Sequence, residues 1–300
     1  MSERVVLAVD GGIASAAALS WVGDRASSVD LSVEITAVVG LDTELPLGSE
    51  SEYRDRYEEV LLRASEKLRA RAPRAEITTR IHRGLPYDAL VDASRASDLL
   101  VVGSNKTSPI VGVLHGTLPL KIAGRSLCPT VIVPAAWRPS RGNVIAGWAD
   151  DETSDAALAF AAREAVSRYA SLTVVHSWST PPDTALDLPA SALVVDELIA
   201  AHQGLLSQAS DRIRARNPGL VVTEELVSGS AAVAIVRAAS DAALVVVGSR
   251  GRGVAADFFL GSTSHDVLLN LPSPVAVLPS RARVAEAIAA ASSADTESTL

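Results

Sequence analysis

The stretch 246–265, VVGSRGRGVAADFFLGSTSH, gathers residue types that together hold an anion. Its pattern is Gly248-x2-Gly251-x9-Gly261-Ser262, entered from the apolar run ALVVV that ends at Val247 and closed by the hydroxyls of Ser262, Thr263 and Ser264. Gly251 is free to take positive φ and leaves the backbone N–H groups of the loop uncovered by a Cβ. Gly261, Ser262 and Thr263 fall where the next helix must begin, and the unsatisfied N–H groups and positive dipole end of a helix favour a negative ligand. Arg250 and Arg252 add charge at the rim. The chemistry would be that of a phosphate cradle. The bland alternative is a strand-to-helix turn, in which Gly251 and Gly253 shape the turn and Ser262 only caps the helix.

Other glycine-loop chemistries fit poorly. No G-x4-G-K-[ST] run is present, so the lysine and Mg²⁺-binding hydroxyl of a P-loop are not assembled. The dinucleotide signature G-x-G-x-x-G belongs after the first strand of a βαβ unit, whereas GSRGRG follows a fourth strand with the wrong spacing. Catalytic groups are scarcer still. His115, His176 and His265 fall near strand ends that would ring such a site, but no Asp or Ser stands at a spacing that makes a nucleophile, base and orienter. His265 reads as a helix-surface or cap residue, and His82 and His202 show no metal spacing with other ligands. Asp55, Glu58 and Glu59 read as the solvated face of a long helix. The expectation is a binding protein rather than an enzyme, with no metal site of its own.

The elements that must position the loop come from a duplicated pattern. Strand-like runs at 4–10, 31–39, 76–84, 98–104 and 130–134 alternate with helical patterning at 14–26, 50–71 and 86–96 and one more helix before the last strand. The same order returns with strands near 143–148, 171–177, 220–227, 243–248 and 274–278. Gly84, Gly103, Ser104, Gly116, Pro129 and Pro134 find Gly229, Gly248, Ser249, Gly261, Pro274 and Pro279, each 145 positions later. AAAL at 16–19 falls on DAAL at 155–158, a smaller offset, so the halves differ in length between the first helix and the third strand. The expected division is a first domain over 1–134, a linker over 135–142, a second domain over 143–280 and a flexible tail over 281–300. Strands apolar on both faces and alternating with helices imply parallel sheets covered on both sides, so each half is a doubly wound α/β domain. Ligands of such sheets sit beyond the carboxyl ends of the strands, where the ends of the first and fourth strands meet.

Composition bounds the function. The 300 residues carry a formal net charge of −8, which argues against a general nucleic-acid surface. One cysteine, Cys128, excludes an intrachain disulfide and a cysteine metal site and suits a reducing compartment. MSERVVLAVD lacks a basic segment followed by an apolar one, and no run reaches the ~18 apolar residues of a membrane span. The expected location is the cytoplasm, with no membrane partner.

With the duplicated pattern in view, the spacing Gly248-x2-Gly251-x9-Gly261-Ser262, the following TSH and SPVAVLP, and the opening VVLAVDGG of the first half resemble the universal stress protein family. The resemblance covers nearly all of residues 3–280 as two tandem domains. It implies five-stranded parallel sheets of order 3-2-1-4-5, an adenine nucleotide such as ATP, with or without Mg²⁺, held by the glycine loop, and pairing of domains through their last strands, TVIVP and PVAVLP, within the chain or in a homodimer. The halves depart from the family pattern in opposite ways. The first keeps Asp10 at the end of its first strand, with Gly103, Gly116 and Thr117, but its loop GSNKTSPIVGVLHGT has Lys106 where the second glycine belongs. A side chain there costs ~1–2 kcal/mol if φ must be positive, and Pro109 stiffens the loop further. The second half keeps the whole loop but has Ala149 in place of the aspartate, where Asp150 or Asp151 could substitute only by bending back.

Losing the backbone cradle removes several charge-assisted hydrogen bonds of ~1.5–3 kcal/mol each, whereas losing one carboxylate removes one contact of similar size. The second half is therefore the expected main binder, through Gly147, Ala149, Val247, Gly248, Arg250, Gly251, Gly261, Ser262, Thr263 and Ser264, and the first half a weaker one, through Asp10, Gly103, Gly116 and Thr117. Base contacts there pass to the main chain around Gly147 and to Trp148, whose alternative role is core packing. Occupancy would act as a conformational signal by ordering the loop 248–264. Two further readings stay open: a degenerate member that binds no nucleotide and serves as an interaction module, and a weak ATPase or autophosphorylating protein.

Overall fold

The computed structural model of the chain describes residues 2–40, 50–105, 117–179, 192–239, 241–249, 260–270, 273–280 and 284–285. Its first half runs β1 (Glu3–Ala8), α1 (Ile13–Arg25), β2 (Leu31–Val39), α2 (Glu50–Arg71), β3 (Glu76–Arg83), α3 (Pro86–Ala93), β4 (Leu99–Ser104), α4 (Thr117–Arg125) and β5 (Thr130–Pro134). The second repeats the order as β6 (Val144–Gly147), α5 (Glu152–Ser167), β7 (Leu172–Trp178), α6 (Ala192–Arg216), β8 (Val222–Ser228), α7 (Ala231–Ala238), β9 (Leu244–Gly248), α8 (Ser262–Asn270) and β10 (Val275–Leu278). The strands expected from apolar runs are all present, each within two residues of its expected limits.

Two-faced burial explains why the central strands are continuous apolar runs. On β4 and β9, Leu99, Val101, Leu244 and Val246 face one hydrophobic layer, and Leu100, Val102, Val245 and Val247 face the other. The outer strands β3 and β8 are instead half exposed and carry Thr, Glu and Arg. Each half has the order 3-2-1-4-5 with parallel neighbours, and Val5 meets Val33 as Val144 meets Leu172.

The two halves form one ten-stranded sheet, β3-β2-β1-β4-β5-β10-β9-β6-β7-β8. The join is the antiparallel pair β5–β10, in which Val131 faces Ala276 and is flanked by Ile132–Val275 and Thr130–Val277. Pairing through the last strands thus takes place within the chain, and it covers two apolar strand edges that would otherwise recruit other chains. Residues 135–143 between the halves pack against the body: Trp137 is buried, and Ser140 donates to the carbonyl of Asp241. Among the described residues, no helix is long and apolar enough to cross a membrane.

A buried ion cluster ties α1 to α5 across the join. Arg25 donates from Nε to Glu3 at 2.7 Å and from Nη1 to Glu164 at 2.7 Å, and Arg168 approaches Glu164 at 3.4 Å. Both guanidinium groups also lie over the ring of Trp21, at 5.7 and 5.4 Å from its centroid. Burial opposes the charge on Arg25, but the coulombic pull of Glu164 and the hydrogen bond to Glu3 outweigh it, so its pKa is raised above the ordinary arginine value.

Candidate functional site

The strand ends that bound the second-half site are set by the sheet order. β6 pairs with both β7 and β9, so the exits of these three strands lie side by side. Above them is a cavity of about 300 Å³, at the small end of the range for ligand pockets. Its walls come from Gly147–Ala149 at the end of β6, His176 and Ser177 on β7, His202 on α6, Val247 and Gly248 on β9 and Gly261–Ser264 at the start of α8. Eight of the ten second-half positions singled out in the sequence therefore line one cavity. The other two, Arg250 and Gly251, lie outside the described residues, as do Arg252 and Gly253.

The anion-facing part is built from backbone. Gly261 donates to the carbonyl of Ser249 at 2.8 Å, which closes the loop at its two described ends, and its own carbonyl accepts from His265 at 2.9 Å, which starts the helix. Ser262, Thr263 and Ser264 then occupy the first turn, where backbone N–H groups have no intrahelical acceptor and the dipole is positive. No acidic residue occupies that turn. The hydroxyls divide in role. Ser262 is exposed and Thr263 half-buried, whereas Ser264 is buried and donates to the carbonyl of Gly248, fastening α8 to the end of β9. Beside it Ser249 is fully buried, and its hydroxyl has no hydrogen-bond partner among the described residues. The described walls thus fit an anion: main-chain donors, small side chains and no carboxylate in the first turn.

The opposite wall lacks the aspartate, and neither neighbour replaces it by bending back. Asp151 is the N-cap of α5, accepting from Ser154 N at 2.8 Å and from its hydroxyl at 3.2 Å. Neither Asp150 nor Asp151 is among the residues that line the cavity. Trp148 is 4% exposed, and its indole N–H goes to Asp155 at 2.9 Å, so it packs in the core while still forming part of the cavity wall.

One feature of this wall escapes a reading of the residues singly. His176, 3% exposed, lies 2.9 Å from the carbonyl of Trp148 through Nδ1 and 2.9 Å from Nδ1 of His202 through Nε2. The rings of Trp148 and Trp178 flank the pair at centroid distances of 5.2 and 6.1 Å. The available signal was topological: His176 ends a strand, and His202 sits on the helix that returns over that same strand. His265, by contrast, is exposed and 3.3 Å from Asp266, a helix-surface residue. No group of three metal-ligating side chains occurs among the described residues.

In the first half the counterparts of the site are arranged differently. Asp10 is exposed and accepts from Gly12 N at 2.8 Å, an intraloop bond that shapes the entry to α1. Gly103 ends β4 against the first turn of α1, Thr117 opens α4, and Lys106, Pro109, His115 and Gly116 lie outside the described residues.

Comparison with known proteins agrees with this architecture. The model of the universal stress protein family matches residues 1–134 and 141–279. Universal stress protein Rv1996 of Mycobacterium tuberculosis is 27% identical over 304 residues, covering 91% of this chain and 94% of that protein. Universal stress protein Rv2623 of the same organism is 25% identical over 292 residues, covering 92% and 96%. Among solved structures, a universal stress protein from Archaeoglobus fulgidus superposes with a TM-score of 0.68 at 24% identity, covering 93% of this chain and 99% of that one.

Proposed function

The chain belongs to the universal stress protein family, and from that premise we propose that it is a regulatory protein that binds an adenine nucleotide, ATP, in the cavity of its second half. The observation that carries this reading is the convergence on one cavity of the α8 first turn, with its acid-free ring of backbone donors, and the main chain of Gly147–Ala149. The phosphates fall to the N–H groups of Ser262 and Thr263 and to their hydroxyls, which supply donors without the cost of ordering long side chains. The base end falls to the main chain of Gly147–Ala149. Any Mg²⁺ would travel with the triphosphate, since the described walls offer no carboxylate cluster for it.

The function is binding rather than turnover. The nearest imidazoles are bonded to each other and to a carbonyl, and no nucleophile is paired with them among the described residues. Occupancy becomes a signal only if the ligand prefers one state of the protein. The lever in the described part is the Ser249–Gly261 bond, which couples the end of β9 to the start of α8.

The test is identification of nucleotide released on denaturing the purified protein, together with calorimetric titration of ATP. Ser262→Asp sharpens it, because a carboxylate in the first turn favours the helix dipole while repelling a phosphate. ATP affinity should fall at least about tenfold with thermal stability held or slightly raised. Absence of released nucleotide and of calorimetric binding in the wild type would leave the interaction-module reading in its place.

A further inference from the structure

We infer that the first half of the chain supplies a positioning residue to the second-half site: Gly124, in the last turn of α4, seats Leu260 and so fixes the backbone of the anion-binding turn that begins at Gly261. The inference rests on the nucleotide reading above and gives that site a support from the other half.

The sheet join brings the two segments together. β5 and β10 run antiparallel, with Thr130 opposite Val277, so the start of β5 lies at the carboxyl end of β10. At that same end Leu278 pairs with Gly248, and Ser249 donates to the carbonyl of Leu278 at 2.7 Å. Because α4 leads directly into β5, its last turn comes beside the start of α8. One layer of core continues over the join: Ile122 and Ala123 of α4 belong to it with Val247 and Val267, and Leu260 packs against it.

The approach is close enough to select a glycine. A Cβ on Gly124 would lie 3.5 Å from the backbone nitrogen of Leu260 and 3.8 Å from its Cβ, which is room for a methyl group and for nothing longer in that direction. Conformation does not demand the glycine, because Gly124 is helical and is not among the residues with positive φ. The layout of a half does not demand it either. The residue 145 positions on is Leu269, at the same place on α8 and 38% exposed, so this place in the fold accommodates a leucine. Glycine weakens a helix, and the contact with Leu260 is what α4 obtains by keeping one. Any shift of Leu260 passes at once to Gly261, whose N–H is held by Ser249 O at 2.8 Å and whose carbonyl accepts from His265 at 2.9 Å. The N–H groups of Ser262 and Thr263 on the cavity wall move with it. The first half thus braces the half that keeps the whole glycine loop.

The experiment compares full-length wild type with Gly124→Ala, Gly124→Leu, Leu260→Ala and the double variant Gly124→Leu with Leu260→Ala. Neither position lines the cavity. Two readouts are taken: hydrogen exchange of the Gly261 amide in ligand-free protein, relative to the β1–β2 amides, and calorimetric titration of ATP. Gly124→Leu should speed Gly261 exchange selectively and lower ATP affinity about tenfold. Gly124→Ala should leave both within about twofold, with the thermal midpoint held. The double variant should lose less affinity than the two single losses combined, because a shortened residue 260 makes room for the new leucine. Wild-type exchange and affinity in Gly124→Leu would overturn the seat, as would strict additivity of the two substitutions. Should Gly124→Leu fail to fold, unchanged Gly261 exchange in Leu260→Ala overturns it instead. Failure of wild type to bind ATP would overturn the nucleotide reading, and Gly261 exchange would then decide the seat by itself.

Discussion

Gly103 and Gly147 stand at the ends of β4 and β6, and the same missing side chain answers different needs. A Cβ on Gly103 would run into the carbonyl group of Ala14 and the amide of Ser15, backbone atoms of the first turn of α1. On Gly147 it would meet the terminal methyl of Ile235, a side-chain atom that can turn aside. Gly103→Ala is therefore expected to cost about 2–3 kcal/mol, because relief requires shifting a helix, and Gly147→Ala markedly less. Urea unfolding checks this as a lowered midpoint with unchanged slope for Gly103→Ala. The comparison also bears on what a glycine pattern says. Gly103 is a member of the repeated spacing, yet packing alone accounts for it. The stronger sequence evidence for an anion site lies in Gly261 and the hydroxyl run after it, which the structure places at a helix start on a cavity wall.

At the scale of elements, the second half replaces the aspartate's loop by a helix cap. Asp151 accepts from Ser154 N at 2.8 Å and sits before an α5 first turn that also carries Glu152 and Asp155. Asp151→Ala should cost about 1 kcal/mol, read as a lowered thermal midpoint, without the larger loss expected had this carboxylate been buried against a ligand. The strands were legible because two-faced burial writes itself as unbroken Val and Leu, and the helices because helical patterning fills the stretches between them. What stayed illegible were relations between elements. Nothing in local spacing says that Trp148 gives its indole hydrogen to Asp155, or that His176 and His202, far apart in sequence, share a hydrogen bond once α6 lies over β7. Such contacts depend on crossover geometry, which the hydrophobic pattern constrains only in its handedness.

The whole molecule is a pseudo-twofold object, and its ion cluster shows how the two halves come to differ. At the sheet join Val131 faces Ala276, its own counterpart in the repeat. The smaller offset that superposes the first helices, 139 positions, carries Arg25 onto Glu164, and these counterparts are the residues that meet. Two copies of the first half joined this way would bring arginine against arginine, and two copies of the second would bring glutamate against glutamate. The opposite charges thus favour the union of unlike halves, the use of a buried ion pair best supported in other proteins. With Arg25 5% and Glu164 3% exposed, loss of one partner leaves the other desolvated. Glu164→Arg should destabilise the chain by at least about 3–5 kcal/mol, since it sets a third guanidinium group against those of Arg25 and Arg168. Arg25→Glu together with Glu164→Arg restores the sign of the contact, though it sets a new carboxylate beside Glu3 and a new guanidinium beside Arg168. The double variant should therefore recover part of the loss, and chemical denaturation of the wild type, both single variants and the double measures the coupling as a closed cycle. Strict additivity of the two single effects would mean that the charges contribute independently and that hydrophobic burial at β5–β10 alone joins the halves.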